Sequence, residues 1–190
     1  MKKFELTSEF VTFLGKKLFR IKALVSFGNV EEGELGGYVE KEENLSNDGN
    51  AWVYGNARVF GNARVYGNAW VYGNARVYGN ARVYGNAWVY GNARVYGDAE
   101  VFGNAEVFGN ADYATVHGFG SEYRTTTFFR TKAGNIGVKC GCFYGTLEEF
   151  RAKAKKTHGE TKIAKEYLMV ADLMEFRFSK GGSIDEKMGI

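Results

Sequence analysis

Gly49-Asn50-Ala51-Trp52-Val53-Tyr54 opens a run of eleven consecutive six-residue units that ends at Ala114; each begins Gly, Asn or Asp, Ala, and ten close on Tyr or Phe. A unit this short can bury its apolar side chains only against copies of itself, so the period predicts a solenoid with one strand and one corner per unit. The fourth position reads Trp52, Arg58, Arg64, Trp70, Arg76, Arg82, Trp88, Arg94, Glu100, Glu106, Asp112, so tryptophan returns every eighteen residues. Three hexads therefore make one turn of a triangular coil, with residues eighteen apart stacked at about 4.8 Å.

Each unit contributes a strand Ala-x-Val, whose first and third side chains share a face while the second points away. Ala and Val are the inward pair, because the middle position holds Trp, Arg, Glu or Asp. Gly and Asn at the corners are the residues that tolerate positive φ at least cost. Three unequal faces follow. One carries Trp52, Trp70 and Trp88, closed by Glu106; a second carries Arg58, Arg76 and Arg94, closed by Asp112; the third carries Arg64 and Arg82, closed by Glu100. Aromatic residues, among them Tyr78, Tyr84 and Tyr96, run along the corners. Stacked arginines repel, and flanking Tyr rings or a bound anion would relieve them. The expected surface is one apolar side, Trp52, Trp70 and Trp88, as oligomer contact, and two basic sides, Arg58, Arg76, Arg94, Arg64 and Arg82 with Tyr78, Tyr84 and Tyr96, as ligand-binding candidates.

The repeat resembles the hexapeptide-repeat, left-handed parallel β-helix proteins. The run Leu35-Gly36-Gly37-Tyr38-Val39-Glu40, with Asn44-Leu45-Ser46 after it, is similar to uncharacterised hexapeptide-repeat proteins of bacteria and their phages, often labelled transferases. The resemblance covers about the first 120 residues. It implies a left-handed coil and a parallel homotrimer. Here Val is followed by Tyr or Phe where the family has Gly or another small or acidic residue, which adds aromatic surface.

The fold class expected is mainly β: a left-handed parallel β-helix of about four eighteen-residue coils, with an N-terminal β-hairpin cap and a small C-terminal ββαα unit. Residues 1–48 form the cap and an irregular first coil, 49–120 the β-helix, 121–180 the ββαα unit and 181–190 a flexible tail. Phe10–Leu14 and Lys17–Ala23 alternate as a hairpin across Gly15-Lys16, and a solenoid needs such a cap over its open edge. Leu-Gly-Gly-Tyr reads as a tight turn that starts the helix. Tyr123–Thr131 and Ile136–Cys140 are strand-like. Thr146-Leu147-Glu148-Glu149 is a capping box for a helix to His158, stopped by Gly159, and a second helix runs from Thr161 to Phe176.

The formal net charge of +3 over 190 residues is too small for bulk nucleic-acid binding. The basic character is instead local, in the ladders and the C-terminal unit. No stretch approaches the ~20 apolar residues of a membrane span, and two cysteines without a secretory signal point to the cytoplasm of a bacterium or a phage-infected cell. His117 and His158 are the only histidines. His117, at the broken end of the prism, is the candidate base if the chain is an acyltransferase of the hexapeptide type, although a capping histidine is the plainer reading. Two histidines exclude the three-histidine metal site of a γ-type carbonic anhydrase, and Cys140-Gly141-Cys142 is a weak zinc signal without a second pair. No metal or cofactor is expected. The residues favour a non-catalytic trimer that holds an anionic nucleotide-like ligand, such as an immune signal sequestered by a phage sponge, or a host defence protein; the alternatives are a structural scaffold and an acyltransferase.

Overall fold

The computed structural model describes residues 2–179; the tail expected at 181–190 lies outside them. The chain opens with β1 (Phe4–Phe13) and β2 (Lys16–Ala23), an antiparallel hairpin turned by Leu14 and Gly15, both at positive φ. Strand β3 (Leu35–Val39) follows, then ten two-residue strands: β4 (Trp52–Val53), β5 (Arg58–Val59), β6 (Arg64–Val65), β7 (Trp70–Val71), β8 (Arg76–Val77), β9 (Arg82–Val83), β10 (Trp88–Val89), β11 (Arg94–Val95), β12 (Glu100–Val101) and β13 (Glu106–Val107). They stack in parallel as a solenoid of about four turns. Its faces are β4-β7-β10-β13, β3-β5-β8-β11 and β6-β9-β12. Pairing follows the eighteen-residue period, Trp52 on Trp70 on Trp88 on Glu106, and Arg64 on Arg82 on Glu100.

Every Ala and Val of these rungs is buried, forming one continuous core. Adjacent coils are joined by backbone hydrogen bonds, among them Trp52 N–H to the Ala69 carbonyl at 3.0 Å, Tyr54 N–H to Val71 at 2.8 Å and Asn56 N–H to Gly73 at 3.0 Å. At the corners only glycine takes positive φ. The asparagines serve otherwise, as an amide ladder in which Asn62 Nδ2 donates to Asn80 Oδ1 (3.2 Å) and Asn80 Nδ2 to Asp98 Oδ1 (2.9 Å).

A stack of parallel rungs leaves backbone N–H and C=O groups at each end without a further rung to pair with, and buried backbone groups must be satisfied. Donors cap the first edge. Lys3 Nζ donates to the Ala51 and Gly49 carbonyls at 2.9 and 3.2 Å, Asn44 Nδ2 to Ala63 and Gly61 at 2.8 and 3.1 Å, and Tyr38 N–H to Ala57 at 2.9 Å. Burial pushes the Lys3 ammonium down to about 8, partly offset by Asp48. At the other edge Thr127 Oγ1 takes the Glu100 N–H at 3.0 Å, Asn110 Oδ1 takes the Arg94 N–H at 2.9 Å, and Lys132 N–H donates to the Asn104 carbonyl at 3.0 Å.

The Leu-Gly-Gly-Tyr segment is a strand rather than a turn. β3 pairs antiparallel with β2 and parallel with β5, joining the hairpin to the Arg face as a six-stranded sheet. Its glycines are packing residues: a Cβ at Gly36 would lie 2.6 Å from the Val53 carbonyl oxygen, and one at Gly37 2.7 Å from that of Ala57.

At the far end the register stops at Val107, one unit earlier than the repeat suggests. Asp112 does not close the Arg58 ladder; its Oδ2 accepts the N–H groups of Phe108 and Gly109, folding the eleventh unit into a turn. Tyr113 then begins β14 (Tyr113–Val116), first strand of an antiparallel meander with β15 (Thr126–Arg130), β16 (Ile136–Cys140) and β17 (Phe143–Thr146). Two of these strands were not expected, and the unit is four strands and two helices rather than ββαα. Helix α1 (Leu147–His158) starts at the Thr146–Glu149 capping box, and α2 (Lys162–Phe178) is capped by Thr161. Phe129 leaves the meander to join the solenoid core, its ring 5.9 Å from that of Phe102.

Candidate functional site

The arginine ladders do not form two equivalent basic sides. Phe13, near the tip of the N-terminal hairpin, lies over the Arg face, with its ring centroid 4.6 Å from Arg58 Cζ and 4.8 Å from Arg76 Cζ. One phenylalanine thus half-buries both guanidiniums, and their cation–π partner is Phe13 rather than the corner tyrosines. Those tyrosines stack on one another, Tyr66 on Tyr84 at 4.7 Å and Tyr78 on Tyr96 at 5.3 Å. On the third face Arg82 meets Glu100 at 3.6 Å, and the Tyr84 hydroxyl donates to the same carboxylate at 3.0 Å. Burial first, then Glu100, raises the Tyr84 phenol well above its ordinary value.

The tryptophan face is uneven too. Trp52 is fully buried beneath Phe4 and Phe27, with edge-on rings at 6.5 and 5.4 Å, so it offers no surface to a partner. Trp70 and Trp88 line an apolar groove of about 300 Å³ with Tyr54, Tyr72 and Asn29. Lys132 Nζ sits 3.4 Å above the Trp88 ring.

Arg94, Tyr78 and Tyr96 do converge. They form one wall of a groove of about 580 Å³ between the last rung of the Arg face and the C-terminal unit. β14 supplies the base through Tyr113 to Val116, and α2 supplies the opposite wall through Leu173, Met174 and Arg177. Asn110 ties the walls together: its side chain holds the Arg94 N–H, and its carbonyl accepts from Arg177 Nη2 at 3.4 Å. Tyr78 and Tyr96 lie nearly parallel, 12° apart, while Tyr113 meets Tyr96 edge-on at 88° and 6.5 Å. Burial, then Tyr96 and Tyr78, keeps the Tyr113 phenol protonated far above its ordinary range.

Among the described residues no carboxylate lines this groove. The acids nearest in sequence are engaged elsewhere: Asp172 and Glu175 of α2 with Arg151 at 2.8 and 2.6 Å, and Asp112 with Arg130 at 3.4 Å. Among the described residues neither Arg94 nor Arg177 has an acidic partner within 4.0 Å. Two uncompensated guanidiniums beside an aromatic corner suit a planar anion, because guanidinium offers paired donors to oxygen anions and the rings offer stacking faces. Sequence reasoning named Arg94, Tyr78 and Tyr96 but missed Tyr113, Asn110 and Arg177; the one available signal was the failure of the repeat at Tyr113.

His117 is exposed just past the end of β14, and its Nδ1 lies 3.1 Å from Thr125 Oγ1. It does not line the groove. Cys140 and Cys142 are free thiols, the former accepting from Thr126 Oγ1 at 3.2 Å. Among the described residues no cluster of three or more His, Cys, Asp or Glu side chains could hold a metal ion, and no helix is long and apolar enough to cross a membrane.

A family model described as the YdcK beta solenoid repeat matches residues 51–65, 57–73, 63–77, 75–91 and 87–101. No curated protein matches the chain. The matched segments all fall within the stacked rungs, so the middle of this chain is similar to a β-solenoid repeat, and the hairpin, the meander and the two helices lie outside the match.

Proposed function

We propose that this is a non-catalytic binding protein that holds an anionic, nucleotide-like ligand in the groove between the solenoid and α2. The observation that carries this reading is the pair Arg94 and Arg177, with no carboxylate within 4.0 Å among the described residues, beside the Tyr78, Tyr96 and Tyr113 rings. Phosphate oxygens would take the guanidiniums and a base would lie against Tyr96, the more exposed ring. We further infer a left-handed, hexapeptide-type coil assembled as a homotrimer through the Trp70 and Trp88 face, acting in the cytoplasm of a bacterium or of a phage-infected cell. In a phage setting the protein would sequester a nucleotide immune signal.

A second reading, a structural scaffold, is favoured by one observation: Phe13 and Glu100 already occupy Arg58, Arg76 and Arg82, so most of the ladder charge is settled within the chain. A thermal-shift panel of mono-, di- and cyclic nucleotides separates the two. A ligand at ~100 times its dissociation constant adds about 2.7 kcal/mol, and a panel in which no nucleotide raises the melting temperature leaves the scaffold.

A further inference from the structure

A groove of about 750 Å³ lies on the third face, away from the one described above. The segment Glu42–Asp48 of the first coil overhangs the outward rungs of Arg64 and Arg82 there. Leu45 and Val65 pass beneath it with their side chains buried in the solenoid core, and Tyr66, stacked on Tyr84, gives it an aromatic wall. Its charges are of both signs and do not close on one another. Among the described residues Arg64 has no carboxylate within 4.0 Å, and Glu43 and Asp48 have no cation within that distance. Glu42 is taken by Lys2 at 2.7 Å, Arg82 touches Glu100 at 3.6 Å, and Asp48 acts on Lys3 only through its field.

We propose that this groove binds a small zwitterion, with an oxygen anion on the Arg64 and Arg82 guanidiniums and a cationic group between Glu43 and Asp48. A simple anion gains from the arginines but is repelled by the carboxylates, and a simple cation meets the reverse. Only a molecule that carries both charges gains at both ends. The Tyr66 face adds a further contact for the cationic end, since aromatic rings attract quaternary ammonium groups.

Phosphocholine is the probe, with choline and inorganic phosphate as its two halves, titrated calorimetrically at low ionic strength so that screening does not mask the charges. Phosphocholine saturates, at least about tenfold tighter than either half, and Arg64→Gln and Asp48→Asn each weaken it about tenfold. Both side chains are exposed, so these variants keep the wild-type melting temperature, and Lys153→Gln on α1 leaves the titration unchanged. The proposal is overturned if phosphate or choline alone binds as tightly, if neither variant alters binding, or if phosphocholine fails to saturate at concentrations on the order of 10 mM.

Discussion

Alanine in place of Gly85 and of Gly97 separates two costs that the corners combine. Both glycines sit in the left-handed region, at φ +70° and +66°. An alanine there costs about 1–2 kcal/mol in backbone energy, offset by ~0.4–1 kcal/mol from a stiffer unfolded chain. Beyond that the sites differ. Among the described residues a Cβ at Gly97 meets nothing within 4 Å, whereas a Cβ at Gly85 would sit 2.8 Å from Gly103 N and 3.2 Å from Gly103 Cα. Backbone cannot step aside as a side chain does, so overpacking adds roughly 1–3 kcal/mol at Gly85. Gly97→Ala is therefore expected to lose about 1 kcal/mol and Gly85→Ala about 2–4 kcal/mol. Urea unfolding followed by tryptophan fluorescence reads both. Equal losses would refute the reasoning, since they would mean that the coils are not in close contact at the inner corner or that another coil covers the outer one.

Four further outcomes follow from the packing. Phe129→Ala removes the ring that plugs the solenoid end and is expected to cost about 3–5 kcal/mol in chemical unfolding; a loss below ~1 kcal/mol would detach the C-terminal unit from the core. Lys3 gives a pH signature: its folded pKa of about 8 lies below the ordinary 10.5, so between these values the unfolded chain binds more protons and stability rises with pH. The melting temperature of the wild type relative to Lys3→Met should therefore climb between about pH 7.5 and pH 10, and a flat difference would contradict the burial of a charged amine. Phe13→Ala uncovers Arg58 and Arg76 and should strengthen retention on a polyanion column while lowering stability by about 1 kcal/mol. Light scattering should show that Trp70→Glu breaks the proposed trimer and Arg76→Glu does not; the reverse would place the contact on the Arg face.

The periodic part of the fold was legible because the repeat states its own register. Ala-x-Val fixes which side chain points inward, and the return of tryptophan fixes the coil length, so every rung pairing from Trp52 to Glu106 could be read directly. What escaped was either non-local or chemically ambiguous. Gly36 and Gly37 look like a turn by composition, yet they are small because β2 and the first coil approach closely from both sides. The covering of Arg58 and Arg76 by Phe13 depends on a hairpin folding back across more than forty residues, which no spacing reveals. The groove was half visible: Arg94, Tyr78 and Tyr96 lie on the repeat, whereas Arg177 reaches Asn110 across a separation of 67 residues. Asp112 was misplaced because it stands at a rung position in sequence, while its carboxylate caps the N–H groups of Phe108 and Gly109.

The central claim is that Arg94 and Arg177 together hold an anion against the tyrosine corner. Calorimetric titration of the nucleotide that gives the largest thermal shift, into the wild type and into the Arg94→Gln/Arg177→Gln double variant, tests it directly. The account predicts saturable binding to the wild type and a loss of at least about a hundredfold in the double variant, two charge-assisted contacts at ~1.5–3 kcal/mol each. Unchanged affinity in the double variant, or no heat with any nucleotide, would contradict it.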